Sequence, residues 1–415
     1  RLLAIITQQA GEEAQVAAGG VGAVPCLITL CKSEDLDVRC GGARALRALT
    51  ASEENQVLVA EEGGLDVLVA VAAEEMNPSE TGELVLQQEA AGALRNMAQH
   101  VDNRVPIAEA GGLEALVQLT TCTDTKAVYQ AVGAIQLLAL VPENIVLLDE
   151  LSAVTHLVAN LASESEPVLH ETVAALSNMA ADNADLRQRV GEENGLEAMI
   201  ALVSHTSPAV RTVAANALRI FCIDHPDNRE KTGKESGVAP LVTMLSYPDD
   251  TSLAETSCAA LIQVCKDNGW NKLCFNKHLG LAALLPLCDS ASALLLTLVP
   301  AVVTTVCEAC DANRREASRL GLTVQMVKLA RHPSPTIRQN AEAALRELRV
   351  INVMLRQQWP LDKQTPPGFL PAKDPTAENQ VSNDPITVTA EQGDGPNIPT
   401  PSGAGITTTG VTETL

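Results

Sequence analysis

The chain has 415 residues, a formal net charge of −22 at pH 7, 46% apolar residues and only 2% aromatic ones. That acidity argues against nucleic acid or an anionic membrane surface as a direct partner, since both require a basic footprint. No apolar run reaches the length of a membrane span, and a core of Ala, Leu and Val suits thin, closely stacked helices better than a sandwich or barrel.

Residues 1–11, RLLAIITQQAG, read as the tail of a helix whose beginning is missing. The chain starts at Arg1 without a Met, so the expectation is a fragment, with any N-terminal leader or lipidation site outside it. From residue 12 to about 358 one grammar repeats. An apolar helix opens after Gly22, Gly64, Gly112, Gly195, Gly237, Gly280 and Gly321, with Ser152 substituting once, in steps of 42, 48, 40, 43, 42, 43 and 41 residues. That period belongs to stacked helical units. About nine residues before most of these positions stands Asn55, Asn103, Asn144, Asn228, Asn271 or Asn313, with Asn183 as the same feature. These residues are expected to cap a short first helix. A second helix follows, then a polar turn such as Ser165-Glu166-Pro167 or Pro333-Ser334-Pro335, then a long third helix. The step of 48 marks an insertion, Glu74 to Leu84, expected as an acidic surface loop. A single unit cannot bury its apolar face, so the units must stack into one array. Residues 359–415 are rich in Pro, Thr, Gly and Asn without a periodic face, and are expected to be disordered. Within them Thr365-Pro366 and Thr400-Pro401 are candidate phosphorylation sites, and Glu413-Thr414-Leu415 a candidate docking peptide.

Nothing in the sequence points to an enzyme. No phosphate-binding loop, dinucleotide fingerprint, HExxH or GxSxG is present. The seven histidines are scattered one per unit or fewer, and ligand sites need clusters. Cofactors and metals are therefore not expected. The eleven cysteines are no disulfide framework. Cys222, Cys265 and Cys310 take the place that Ala98, Ala139 and Ala180 fill elsewhere, as small buried residues. Free thiols of this kind suit a reducing, cytoplasmic location, with nucleus and cilium as alternatives. The CxxC of Cys307 and Cys310 sits on a predicted helix without a second pair.

Three helices per unit, the glycine at the first joint, and third helices reading AAGALRNMA and TVAALSNMA resemble the armadillo-repeat family. The resemblance covers roughly residues 12–350 and implies an all-α, right-handed superhelical solenoid of about eight three-helix repeats. It also implies a groove, lined by the third helices, that holds extended partner segments. One groove column then reads Arg47, Arg95, Gln136, Ser177, Arg219, Ile262, Cys307, Arg346, and the next Ala48, Asn96, Leu137, Asn178, Ile220, Gln263, Glu308, Glu347. In the family an Asn in the second column holds a peptide backbone; Asn96 and Asn178 keep it, with Gln263 as a longer substitute. The arginines either receive carboxylates of an acidic or mixed partner segment or brace the stack against their own neighbours' acids. The column where nuclear-import adaptors of the family carry Trp contains none here, so the aromatic walls for a basic cargo signal are missing. The resulting expectation is a protein-interaction scaffold binding at Arg47, Arg95, Asn96, Gln136, Asn178, Arg219 and Gln263. The alternatives are a fixed part of a cytoskeletal or ciliary assembly, or the interaction module of a larger protein such as a ubiquitin ligase or an acylated membrane anchor.

Overall fold

The computed structural model describes residues 22–74, 81–247 and 250–348, with residues 16, 17 and 19. All of them lie in the first of two compact units, Arg1–Trp359 and Pro360–Leu415. The expected remnant at 1–11 and the expected disordered tail at 359–415 fall outside the described residues. Among the described residues there are 23 α-helices and no strand.

The third helices run α1 (Leu36–Leu49), α2 (Thr81–Met97), α3 (Thr125–Leu138), α4 (Glu166–Ala180), α5 (Pro208–Phe221), α6 (Thr251–Cys265), α7 (Ala293–Cys307) and α8 (Pro335–Glu347). Their starts are written in the polar turns. Asp35 accepts from Val38 N–H at 3.0 Å, Asp124 from Ala127 N–H at 2.8 Å and Ser292 from Leu295 N–H at 3.2 Å. Pro208 and Pro335 occupy the first turn of α5 and α8, where a missing N–H costs nothing. Helix α2 begins at Thr81, so the inserted loop is shorter than the sequence suggests and its last residues extend the helix.

Each third helix packs against the next, from α1 on α2 to α7 on α8. Their central column, Leu46, Leu94, Ile135, Leu176, Leu218, Leu261 and Val306, is 0% exposed. One turn on, Thr50, Ala98, Ala139, Ala180, Cys222 and Cys265 are all buried, so the two cysteines serve as small core residues in place of alanine. All eleven cysteines are free, and no group of three metal-ligating side chains occurs among the described residues. Burial pushes the Cys31 and Cys222 thiols up to about 11 and those of Cys258, Cys288 and Cys307 to about 12.

Two sequence expectations need correction. The glycine column is really two columns. The joint residue in left-handed backbone is Gly22, Gly63, Gly111, Ser152, Asn194, Ser236, Leu279 and Gly321. The residue after it opens the second helix under tight packing: a Cβ on Gly64, Gly112 or Gly195 would lie 2.5–2.6 Å from Val59, Ile107 or Val190. The repeated asparagines are also not caps. Ser52, His225 and Asn268 cap the first helices, three residues earlier. Asn55, Asn103, Asn144, Asn228, Asn271 and Asn313 are instead at most 5% exposed. Each donates its amide to the last turn of the preceding third helix, as Asn271 does to Val264 C=O at 2.7 Å and Asn313 to Val306 C=O at 2.8 Å. The second amide hydrogen crosses to the first helix of the preceding unit. Asn103 reaches Gln56 C=O, Asn144 reaches Arg104, Asn228 reaches Arg187, Asn271 reaches Arg229 and Asn313 reaches Lys272, at 2.8–3.4 Å. Of the seven asparagines Asn183 alone caps a helix, at Leu186 N–H, and Leu186 stands in its unit where the others carry the bridging Asn. The residue after the bridging position caps carbonyls at third-helix ends. Arg104, Arg187 and Arg229 bond Ala98, Ala180 and Cys222 C=O of the preceding unit, and Lys272 and Arg314 bond Glu308 and Glu347 C=O at the end of their own unit. A cation there also meets the negative end of the helix dipole.

Candidate partner-binding groove

Arg47, Arg95, Asn96, Gln136, Asn178, Arg219 and Gln263 all fall on the third helices, and all are half-buried. Ser177 and Cys307, from the same first column, turn inward: Ser177 is 5% exposed and donates to Val173 C=O at 2.7 Å, and Cys307 is 0% exposed. The helical repeat therefore drifts relative to the groove, and the first column faces solvent only where a long side chain lets it.

The two N-terminal arginines are held from within. Arg47 Nη1 lies 3.1 Å from Glu89 Oε2 on α2, whose other oxygen takes Arg44 Nε at 3.0 Å. Arg95 Nη2 reaches past α3 to Glu171 Oε1 on α4 at 2.6 Å, and its guanidinium lies 4.4 Å from the centroid of the Tyr129 ring. Both arginines lie flat because the next helix offers glycine as a floor. A Cβ on Gly92 would collide with the Arg47 side chain, and one on Gly133 with Arg95. Sequence reasoning misses Glu89, Glu171, Gly92, Gly133 and Tyr129. The signal that could find them is register, since Gly92 and Gly133 stand two residues, and Glu89 and Glu171 five residues, before the central column of their helices.

Arg219 differs on both counts. Ala259 stands at the floor position and Thr256 at the acid position of α6. Arg219 instead turns back on its own helix, with Nε 3.0 Å from Asn216 Oδ1, and pairs with no carboxylate among the described residues.

The amides of the second column share one arrangement. Asn96 Nδ2 donates to Arg47 C=O at 2.9 Å, and Asn178 Nδ2 to Gln136 C=O at 2.8 Å. In each case the carbonyl belongs to the first-column residue of the preceding third helix. Asn96 Nδ2 also reaches Thr50 Oγ1 at 3.4 Å, whereas Asn178 makes the one bond, and both side chains stay half-exposed. Glu308, in the same column of α7, is engaged by Lys272 Nζ at 3.3 Å. No helix among the described residues is long and apolar enough to cross a membrane.

Residues 100–140, which span one joint and three helices, match the family model of the armadillo/beta-catenin-like repeat. No curated protein matches the chain in sequence. Among solved structures, an engineered protein superimposes with a TM-score of 0.70 at 22% identity over 84% of this chain and 93% of its own. A designed armadillo repeat protein gives a TM-score of 0.54 at 24% identity, covering 57% of this chain and 99% of that one. A third, one of a set of computationally designed armadillo repeat proteins for modular peptide recognition, gives 0.53 at 24% identity over 57% and 99%. The repeating three-helix unit, the family match at one of its units and the superposition over most of its length agree: the chain has the fold of an armadillo-type helical solenoid.

Proposed function

We propose that the protein is a non-catalytic scaffold that holds an extended partner segment, by its main chain, along the face formed by α1 to α6. The observation that carries this reading is the matched pair Asn96 and Asn178, each half-exposed and anchored at 2.8–2.9 Å to the first-column carbonyl of the preceding helix, with no donor to its amide oxygen among the described residues. Stacked helices lie 8–10 Å apart, so the two amides, two units apart, are separated by roughly 20 Å, about six residues of extended chain. Gln136 stands on the helix between them and Gln263 two helices further on. Among the similar solved structures, one set was designed for modular peptide recognition, which adds support for such a use of the fold.

The partner segment is of mixed to acidic character. Arg47 and Arg95 are already neutralised by Glu89 and Glu171, so that half of the groove suits uncharged or mixed side chains. Arg219, without a carboxylate among the described residues, receives an acidic one. The test is selection of binders from a display library of random twelve-residue peptides, followed by affinity measurement against Asn96→Ala/Asn178→Ala. Loss of two backbone-directed hydrogen bonds at about 0.5–1.5 kcal/mol each should weaken binding roughly 5- to 150-fold. Arg219→Glu should remove the preference for acidic residues. Failure to enrich any peptide, or enriched peptides that bind the double variant equally well, refutes main-chain capture at these residues.

A further inference from the structure

A second surface, made by the first helices rather than the third, carries a pattern of its own. Three consecutive first helices, Glu53–Glu61, Arg104–Glu109 and Pro142–Glu150, place an exposed valine two residues after the bridging Asn: Val57, Val105 and Val146, at 37%, 40% and 59% exposure. The crossing bonds from Asn103 to Gln56 and from Asn144 to Arg104 hold these helices side by side in that register. On one side of the valines runs an exposed acidic row, Glu54, Asp102 and Glu143, each just before its Asn. On the other runs a second, Glu61, Glu109 and Glu150, each six residues after it. None of these six carboxylates pairs with Lys or Arg among the described residues; Asp102 has only His100 at 4.0 Å. Val101, Leu140 and Leu147, at 61%, 49% and 40% exposure, widen the apolar stripe over the second and third helices. The pattern stops at the next unit, where Gln188 takes the valine position, and the outer row turns basic beyond it at Lys234, Lys277 and Arg319.

We propose that this surface docks an amphipathic α-helix of a partner protein, with an apolar stripe flanked on both sides by Lys and Arg. Charge complementarity sets the flanks: two unpaired acidic rows need two basic ones, and a neutral or acidic helix would leave both facing repulsion. Geometry sets the conformation. The two acidic rows are seven residues apart along each first helix, about 10.5 Å, which is the 10–12 Å width of a helix with its side chains. Across the stack the valines repeat at the 8–10 Å spacing of packed helices, close to the ~10.5 Å between residues seven apart on a docked helix. A β-strand has same-face positions near 6.6 and 13 Å and misses that repeat.

The test uses the full chain and a fluorescein-labelled 21-residue peptide with Leu at heptad-spaced positions and Lys or Arg flanking them, read by fluorescence anisotropy. A scrambled peptide of the same composition is the control. The expected result is saturable binding that weakens at least tenfold for the scrambled peptide, for Val105→Ser/Val146→Ser, and for Glu109→Lys/Glu150→Lys. All four positions are exposed, and unchanged circular dichroism verifies folding of the variants. Binding should persist in Asn96→Ala/Asn178→Ala, which separates this surface from the groove. Absence of binding, equal binding of the scrambled peptide, or variants that bind like the parent overturns the proposal. So does concentration-dependent dimerisation of the chain that the valine substitutions abolish, since the surface would then serve a second copy.

Discussion

Replacing Asn271 with Ala tests the buried amide bridges most directly. The side chain is 0% exposed and donates to Arg229 C=O at 2.8 Å and Val264 C=O at 2.7 Å. The first bond joins neighbouring first helices; the second covers a carbonyl in the last turn of α6, where helical N–H donors have run out. Losing two hydrogen bonds at about 1 kcal/mol each, and leaving the Val264 carbonyl buried and unpaired at about 1–3 kcal/mol, gives a gross loss of about 3–5 kcal/mol. Part is recovered, because Asn271 Oδ1 is itself buried without a partner and its removal lifts that cost. The expected net destabilisation is therefore about 2–3 kcal/mol. In an array where units interact mainly with neighbours, the loss should be local. Native-state hydrogen exchange should show weakened protection for residues 226–277, with the amides of α1 to α3 unchanged. A change below about 0.5 kcal/mol would mean that the bridge contributes no net stability and that apolar packing alone holds these first helices together. Uniform loss of protection along the chain would instead refute the local character of the effect.

Four further outcomes follow from the geometry. Leu279 sits at φ 64° and 69% exposed where four other units carry glycine, so Leu279→Gly should stabilise by about 0.5–1 kcal/mol, seen as a higher denaturation midpoint. Arg95→Ala removes the Glu171 pair and the Tyr129 stacking, and should cost about 1–2 kcal/mol; no change in midpoint would show the contact to be energetically idle. The buried thiols hold their protons more tightly folded than unfolded, so their contribution to stability is full below pH 9 and is lost as pH rises through about 11 and 12. Denaturation midpoints measured from pH 8 to 12 should therefore fall above pH 9, and Cys222→Ala should flatten part of that fall. At pH 8 the exposed Cys26 should be alkylated well before these thiols.

Much of the fold is legible in the sequence because its determinants are local and repeated. The apolar column from Leu46 to Leu345 has helical spacing, and the Asp, Ser and Pro turns supply caps that act within four residues. What the sequence conceals is what acts between units. An Asn near a helix start looks like a cap, and only a neighbouring backbone carbonyl some forty residues away reveals Asn103 or Asn271 as a bridge. The adjacent glycine pairs Gly63-Gly64 and Gly111-Gly112 likewise hide two demands, left-handed backbone at the first and close packing at the second. In the groove, the placement of Arg47, Arg95, Asn96 and Asn178 on third helices follows from periodicity. The acids that engage the two arginines do not, because Arg95 bypasses its neighbour, where Gln130 offers no charge, and pairs two units on.

The run of amide bridges is interrupted once, at Leu186, which is 1% exposed and donates nothing sideways. Between the helices Pro142–Glu150 and Ala184–Glu192 the crossing contact is an ion pair, Arg189 with Asp149, on partly exposed side chains. Amide bridges sealed in the interior are indifferent to ionic strength, whereas an exposed pair is screened. The row of first helices is thus tied by salt-insensitive bonds on both sides of one junction whose own tie the surrounding salt can weaken, and the interval from Asn178 to Gln263, unlike that from Asn96 to Asn178, spans that junction.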